Sequence, residues 1–347
     1  MYNNQMYLDS FRKIFKVIPN IDKLQNKTVL VAGAGGLVCS VIVDFLHFLD
    51  VEKKYNISIY AADINEEGCK NRFKEYYNDS HFNYLHYNVT EPLNSSIKFD
   101  FIIHGASPAN PKLYVEKPVE TMLANFMGTY NLLEYAKRTG LQRFLYISSS
   151  EVYGNKEDAK PFRENDYGYL DILNPRACYP SSKRASETLC SSYNEEYGID
   201  DVIIRPGHVF GPSMTKGDTR AASQFARDVV EGNNIIMKSE GTQLRSHCYV
   251  VDCVSALICV LLNGKSNEAY NISCSNSVST IKDIAEAYAK AGNKKVIFEL
   301  PSDVEKRGFN LMPNSSLTSD KLEALHWKPT FSLEDGTRMT IELLKCK

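Results

Sequence analysis

The stretch Lys27-Thr-Val-Leu-Val-Ala-Gly-Ala-Gly-Gly36 joins a short apolar run to a cluster of glycines. An apolar run of this length between polar residues predicts a buried β-strand, and the largely apolar residues 37–49 that follow predict a helix. Glycines between a strand and a helix allow a tight turn, and they let the backbone approach a pyrophosphate held at the helix N-terminus. The stretch therefore predicts the first strand–turn–helix unit of a nucleotide-binding sheet.

Strands and helices alternate through the first two hundred residues. Further apolar runs predict strands at residues 56–62, 99–104, 143–148 and 201–205, and helical patterns lie at residues 119–138 and 181–197. Alternation at this spacing is typical of a parallel sheet with helices on both faces. We therefore expect an α/β fold built on a Rossmann doubly wound parallel sheet.

The composition excludes several classes of protein. The 347 residues are 43% hydrophobic and 24% charged, with a net charge of -2. Without a basic excess or an apolar run of membrane-spanning length, we expect no nucleic-acid or membrane partner and a soluble, cytoplasmic protein. None of the cysteines forms a C-x-x-C pair and the histidines lack paired-ligand spacing, so we expect reduced thiols and no metal site.

The glycine cluster is the expected dinucleotide site. Gly33, Gly35 and Gly36 form its turn, with Leu37 at the start of the helix, while Cys39 stands where such turns usually have a further glycine. Asp63 ends the second predicted strand, where a carboxylate suits a ribose diol and repels a 2′-phosphate. We therefore expect NAD as the cofactor rather than NADP. The alternative role for Asp63 is to cap the helix that follows it.

The regular alternation loosens after residue 206. Helical patterns at residues 221–230, 250–262 and 281–290, with a short strand at 235–237, predict a smaller mixed α/β domain. We expect an N-terminal extension over residues 1–25, with an amphipathic helix at Ser10–Ile18, and an NAD-binding Rossmann domain over residues 26–206. Residues 207–347 are expected to form mainly the substrate-binding domain, with some segments returning to the large sheet.

Two segments carry groups that can move a proton. Tyr179 and Lys183 are four residues apart in Cys178-Tyr-Pro-Ser-Ser-Lys183, so on a helix they lie on one face. A neighbouring ammonium group favours the phenolate and would lower the tyrosine pKa. The serines of Ser148-Ser-Ser-Glu-Val-Tyr-Gly154 follow a predicted strand and could share the proton of a substrate alcohol. Together these groups suit oxidation and reduction at a carbinol carbon.

Three further segments carry a family resemblance: His104-Gly-Ala-Ser-Pro-Ala-Asn-Pro111, Asn174-Pro-Arg-Ala-Cys-Tyr-Pro-Ser-Ser-Lys183 and Gly241-Thr-Gln-Leu-Arg-Ser246. With the glycine turn, they resemble the extended short-chain dehydrogenase/reductase family that modifies nucleotide sugars, and within it the UDP-glucuronate decarboxylases. The resemblance implies that Tyr179 is the base for hydride transfer, that Lys183 holds the nicotinamide ribose, and that Ser149 polarises the substrate hydroxyl. It also implies cofactor contacts at Ile64, Asn88, Val89, Ala106 and Ser107.

The same resemblance implies a set of substrate-binding and catalytic residues. Ser150 and Glu151 are expected at the reacting end of the sugar, and Tyr114, His208 and Arg245 are expected to contact the substrate. Each has a structural alternative: Glu151 and Arg245 could form ion pairs, and Tyr114 and His208 could pack in the core. His208 replaces an asparagine of the family's motif, so the nucleotide or the sugar could differ.

The residues around the tyrosine favour one reaction over its relatives. Ser150 stands where 4,6-dehydratases have an aspartic acid that protonates the leaving hydroxyl, and simple 4-epimerases usually lack Glu151. We expect decarboxylation of a UDP-glucuronate-like uronic acid through a 4-keto intermediate, in a glycan or polysaccharide pathway. The alternatives are 4-epimerisation, 4,6-dehydration, or a non-catalytic NAD(H)-binding sensor. Members of the family pair through the helices that correspond to residues 119–138 and 181–197, so a homodimer is expected.

Overall fold

The computed structural model describes residues 1–156, 158, 160–215, 217–299 and 312–346. The strands of its large sheet are β1 Thr28–Ala32, β2 Ser58–Asp63, β3 Phe82–His86, β4 Phe101–His104, β5 Arg143–Ile147, β6 Asp201–Pro206 and β10 Glu268–Ile272. Their order is β10-β6-β5-β4-β1-β2-β3, and every neighbouring pair is parallel. The expected doubly wound parallel sheet is confirmed.

Helices cover both faces of this sheet. They are α1 Gln5–Phe15, α2 Cys39–Lys53, α3 Glu66–Arg72, α4 Pro111–Glu116, α5 Pro118–Thr139, α6 Cys178–Tyr197, α7 Ala221–Val230, α8 Val250–Asn263, α9 Ile281–Ala291, α10 Asp320–Glu323 and α11 Leu333–Lys345. Along β1, Val29 and Val31 pack in the core that contains α1, α2 and α8, whereas Leu30 and Ala32 pack in the core that contains α5 and α6. This alternation is the two-residue period of a strand buried on both faces.

The order of the strands fixes where a ligand can bind. The chain runs outward from β1 to β3 and then returns to β4 on the other side of β1. At such a reversal the loops after the two neighbouring strands leave in opposite directions and open a crevice at their carboxyl ends. The glycine cluster follows β1 directly, so it lies at this crevice.

Smaller sheets are built from the remaining strands, which are β7 His208–Phe210, β8 Ile235–Met237, β9 Leu244–Tyr249, β11 Val278–Thr280, β12 Val296–Phe298 and β13 Asn314–Ser315. Strand β9 pairs with β7, β11 and β13, and β12 pairs with β8. Strand β10 lies between these segments in the sequence but pairs with β6 in the large sheet. Residue 206 as a domain boundary stays a prediction.

Two helices begin earlier than the sequence pattern indicated. The first helix was expected at Ser10–Ile18 but covers Gln5–Phe15, because the Asn4 side chain accepts a hydrogen bond from the Met6 N–H at 3.0 Å and caps it. Helix α6 begins at Cys178, three residues before the predicted start, with Pro180 in its first turn. A proline is tolerated there because the first N–H groups of a helix have no partner within it.

Among the described residues, no helix is both long and apolar enough to cross a lipid bilayer. All nine cysteines carry free thiols, and eight of them are buried.

Candidate active site

The turn after β1 needs glycine at its first position. Gly33 has a φ of +82°, and a Cβ there would lie 2.6 Å from the Cα of Ala106. The N–H groups of Gly33 and Ala34 both donate to the Ala62 carbonyl, at 2.8 and 3.1 Å. The turn is thereby fixed against the end of β2 and against the loop after β4.

Cys39, the first residue of α2, is accommodated by a glycine on the neighbouring loop. Its side chain is buried, and a Cβ on Gly105 would lie only 2.4 Å from its sulfur. The Cys39 side chain therefore fits because residue 105 is a glycine, which leaves room for the sulfur. The sequence pattern of the turn did not reveal this compensation, because the two residues belong to different loops.

Asp63 is bound to the glycine turn. Its Oδ2 accepts a hydrogen bond from the Gly35 N–H at 2.9 Å, and its Oδ1 accepts one from the Asn65 N–H at 2.9 Å. The side chain that caps α3 is Asn65, which accepts from the Gly68 N–H, so the capping role considered for Asp63 is wrong. The carboxylate is held at the end of β2, beside the turn.

The other residues predicted to contact the cofactor lie in loops after the strands: Leu37, Ile64, Asn88, Val89, Ala106 and Ser107. Ile64 is 65% exposed, and the Asn88 side chain accepts hydrogen bonds from the N–H and hydroxyl of Thr90. Val89 is buried, and its carbonyl accepts from Asn131 at 2.9 Å. The Ser107 hydroxyl is buried without a partner among the described residues. A tight glycine turn, a fixed carboxylate and an unpaired hydroxyl at one crevice fit a dinucleotide such as NAD.

The predicted catalytic pair lies on one face of α6. Lys183 is buried, and its Nζ donates to the Ile147 carbonyl at 2.7 Å. The same nitrogen lies 4.8 Å from the centre of the Tyr146 ring and 5.6 Å from that of Tyr179. Burial lowers the pKa of Lys183 to about 7. The lysine is thus anchored to the end of β5 below the tyrosine.

The pKa of Tyr179 differs from the expectation. It is raised to about 12, mainly by burial and secondly by the charge of the Glu151 carboxylate. This rise of the Tyr179 pKa is opposed by hydrogen bonds with Ser149 and Tyr114 and by the charge of Arg220. The expected lowering of this pKa does not occur in the chain by itself, because burial outweighs the groups that favour the phenolate.

The serines after β5 begin a short 3₁₀ helix. Ser149 caps it: its Oγ accepts from the Glu151 N–H at 3.2 Å, which leaves its own proton for the Tyr179 oxygen. Ser150 is the first residue of this helix and is half-buried. The local turn therefore brings Ser149 and Glu151 to the same side of Tyr179.

A guanidinium that the sequence analysis did not single out completes this part of the site. Arg176 donates from Nη1 and Nη2 to the two Glu151 carboxylate oxygens, at 2.9 and 3.1 Å. Its guanidinium lies 4.8 Å from the centre of the Tyr114 ring, and that ring stacks on Tyr179 with centroids 4.4 Å apart and planes inclined by 13°. Arg176, Tyr114 and Tyr179 thus form one stack beside Glu151.

The remaining predicted residues lie on the small sheet. Arg245 is buried, and its Nη1 donates to the Leu244 carbonyl at 2.8 Å; no carboxylate among the described residues pairs with it. Burial lowers its pKa to about 10. His208 of β7 is paired in register with His247 of β9, so it lies near Arg245. The ion-pair alternative for Arg245 therefore has no support in this part of the structure.

Arg220 links the small sheet to the catalytic tyrosine. Its charge lowers the pKa of both Tyr179 and His208, and its side chain forms a hydrogen-bonded ion pair with Asp218 at 2.6 Å. It was missed in the sequence because it lies in a loop rich in glycine, serine and threonine that precedes α7. The groups on the small sheet and the tyrosine stack thus belong to one charged cleft.

The fold and this cleft agree with the family assignment: the chain belongs to the NAD-dependent epimerase/dehydratase family, whose sequence profile matches residues 29–273. It is an enzyme of this family, and its cofactor is NAD.

The chain is 33% identical over 315 residues to UDP-glucuronic acid decarboxylase 3 of Arabidopsis thaliana, covering 90% of this chain and 87% of that protein. It is 30% identical over 339 residues to UDP-glucuronic acid decarboxylase 1 of Xenopus tropicalis, covering 97% of this chain and 76% of that protein.

Solved structures share the fold at lower identity. A UDP-glucose 4-epimerase of Thermotoga maritima has a TM-score of 0.77 and 21% identity, and the match covers 91% of this chain and 98% of that one. A dTDP-glucose 4,6-dehydratase of Bacillus anthracis in complex with NAD has a TM-score of 0.74 and 19% identity, covering 91% and 96%.

Proposed function

We propose that the chain decarboxylates UDP-glucuronate through a 4-keto intermediate. The observation that carries the proposal is Glu151, whose carboxylate raises the pKa of the Tyr179 phenol and whose backbone N–H donates to the Ser149 hydroxyl. A carboxylate next to the redox tyrosine suits a second event at the sugar carbon adjacent to the oxidised one. The two decarboxylases compared above support the same reaction.

The glycine turn with Asp63, Ser107 and Lys183 would hold the cofactor. When bound, NAD supplies the hydride acceptor for the sugar C4 and, once reduced, the hydride donor that restores the alcohol there. The Asp63 carboxylate, fixed by the Gly35 N–H, would accept from the hydroxyls of the adenosine ribose.

Tyr179 and Ser149 would handle the proton of the sugar 4-hydroxyl. The Ser149 hydroxyl is hydrogen-bonded to the tyrosine and can pass the substrate proton to the phenolate oxygen. Because burial keeps the Tyr179 pKa at about 12, a positive charge nearby is needed before the phenolate forms at neutral pH. Arg220 already lowers the pKa within that value, so a further positive charge beside the phenol is needed when the site is occupied.

Loss of carbon dioxide follows from the chemistry of the oxidised sugar. With a ketone at C4, the C6 carboxylate belongs to a β-keto acid, so the C5–C6 bond can break and leave its electron pair in an enolate. That enolate then takes a proton at C5. Ser150 and Glu151 would line this end of the sugar, and the Arg176 guanidinium keeps the Glu151 carboxylate in place.

The test is to incubate the purified chain with NAD and UDP-glucuronate and to follow the product by mass spectrometry. We expect loss of the mass of carbon dioxide, and we expect Tyr179→Phe to lose turnover while still binding NADH. Loss of water instead would indicate dehydration, and a new isomer of unchanged mass would indicate epimerisation. Cofactor binding without turnover of any nucleotide sugar would indicate a sensor. Near-full activity of the Tyr179→Phe variant would refute the proton-transfer scheme.

We also propose that the enzyme is a homodimer. The exposed apolar residues of α5 are spaced along one side of the helix: Val119, Met122, Leu123, Phe126 and Tyr130, with exposures of 63, 44, 46, 39 and 40%. Residues at these spacings form a single face, and a second copy of that face would cover it. Helices that pair in this way are also what the family resemblance implies.

A further inference from the structure

Two histidines and an arginine share one face of the small sheet. His208 and His247 are direct partners in the parallel pairing of β7 with β9, and their ring centres are 6.0 Å apart. Arg245 precedes His247 by two residues, and residues two apart on a strand project to the same face. The three side chains therefore converge on one side of the sheet.

Polar groups in this cluster lack partners. The Nδ1 atom of His208 is buried and has no hydrogen-bond partner among the described residues. The hydroxyl of Ser315, which is paired in register with Arg245, is also buried without such a partner. Among the described residues, Arg245 donates only to the neighbouring carbonyl of Leu244. Buried donors and a buried cation without a carboxylate are costly, and an anionic ligand would satisfy them together.

The groups that face the histidines come from four parts of the chain. His247 is hydrogen-bonded through Nδ1 to the Ser279 hydroxyl at 2.9 Å, and the Asp283 carboxylate of α9 opposes the lowering of its pKa by burial. His208 faces His247 and Arg245 on β9 and Arg220 before α7. Burial and these cations lower the pKa of both histidines, that of His247 to about 3. Both rings are therefore neutral at pH 7 in the chain alone.

An anion bound beside Arg245 favours the protonated forms of His208 and His247. It offers an acceptor to each imidazole and opposes the cations that now disfavour a proton, so it raises the pKa of both rings. In the resembled family the position of His208 is an asparagine, whose amide makes hydrogen bonds but takes up no proton. The linkage is thus a property of the histidine in this chain.

We propose that binding of an anionic group of the nucleotide sugar beside Arg245 is coupled to proton uptake by His208 and His247. The proposal rests on the function proposed above, because it needs a nucleotide sugar as the ligand. Since the bound form holds the extra proton, affinity is highest at low pH, falls as pH rises from the pKa of the free histidines to that of the complex, and is constant above it. Uptake of one proton corresponds to about a tenfold loss of affinity per pH unit in that range.

The test is isothermal titration calorimetry in buffers of different ionisation enthalpy, with the full chain loaded with NADH so that the sugar cannot be oxidised. UDP-xylose carries only the diphosphate charges, which stay constant around neutral pH, and UDP-glucuronate adds the carboxylate. We expect net uptake of up to one proton per bound molecule, larger at pH 6 than at pH 7. Uptake with both probes assigns the anion to the diphosphate, and uptake with UDP-glucuronate alone assigns it to the carboxylate.

Two variants separate the outcomes. His208→Asn should still bind but lose most of the uptake, whereas His326→Asn should retain it, since His326 is exposed and its φ of +66° suits asparagine. Binding of both probes without uptake in the parent chain would overturn the inference and leave the proposed function standing. Equal uptake in His208→Asn would also overturn it. A folded chain that binds neither probe would overturn the proposed function and the inference with it.

Discussion

Arg176→Lys tests whether the guanidinium positions Glu151. Lysine keeps the positive charge but lacks the two parallel donors that now hold the Glu151 oxygens at 2.9 and 3.1 Å. It also loses the planar contact with the Tyr114 ring, which in turn stacks on Tyr179. The change therefore frees the carboxylate and loosens one side of the tyrosine stack without removing a charge.

The structure sets the size of the two effects. The Arg176 and Glu151 side chains are 37 and 34% exposed, so the ion pair contributes at most about 1 kcal/mol to the free energy of unfolding. The contact between the cation and the Tyr114 ring adds about 0.5–1 kcal/mol. A misplaced group beside the reacting atoms costs more, and we expect kcat with UDP-glucuronate to fall about 10- to 100-fold.

The assay is steady-state kinetics with UDP-glucuronate, together with thermal unfolding of each variant. Arg12→Lys is a matched control, because Arg12 holds Glu52 with two hydrogen bonds, of 2.8 and 2.6 Å, and the pair is 35 and 31% exposed. That pair joins α1 to α2, so its loss should leave kcat unchanged. If Arg176→Lys keeps kcat within about twofold of the parent, Arg176 does not position Glu151.

Three further predictions concern the cofactor turn, the pH dependence of stability and assembly. Gly33→Ala should abolish NADH binding in a fluorescence titration, because its Cβ would meet Ala106; Gly140→Ala, which has a similar positive φ but open space around it, should keep NADH binding. Burial raises the pKa of Asp201 to about 7. The folded state therefore keeps a proton that the unfolded state loses near pH 4. As a result, the free energy of unfolding falls as the pH rises from about 4 to about 7. Asp201→Asn should remove that fall in denaturant titrations, by about 1 kcal/mol per unit of pKa shift, and a persistent slope would contradict the assignment. Leu123→Arg should convert the proposed dimer to a monomer in light scattering, and an unchanged mass would show that α5 is not the interface.

Local sequence patterns predicted most of the large sheet because its strands are short apolar runs between polar residues. The residues of β1 and β6 could be recognised in this way, since both faces of each strand are buried. Helix ends were less accurate because single side chains decide them, such as the Asn4 cap of α1. A return of part of residues 207–347 to the large sheet was expected, but the pairing of β10 with β6 could not be assigned from local patterns, because the tertiary fold alone brings the two strands together.

For the candidate site, the sequence indicated groups whose partners are close along the chain. Tyr179 and Lys183 are one helical turn apart, so their common face follows from helix geometry. Arg176 and Glu151 are 25 positions apart and meet only because the loop before α6 returns to the end of β5. The pKa of Tyr179 was mispredicted for a related reason: burial depends on the whole surrounding structure and outweighs one nearby charge.

The pairing of β10 with β6 has a consequence for recombining this enzyme with its relatives. A hybrid made with a single crossover near residue 206 would take β6 from one parent and β10 from the other, so a parallel strand pair inside the large sheet would be mismatched. The Arg143 guanidinium donates to the carbonyls of Leu261 and Gly264, just before β10, so this contact would also join two parents. A functional hybrid therefore needs three crossovers, one near residue 206 and one on each side of residues 261–273. The part of the chain after residue 206 thus cannot be exchanged as one uninterrupted block of sequence.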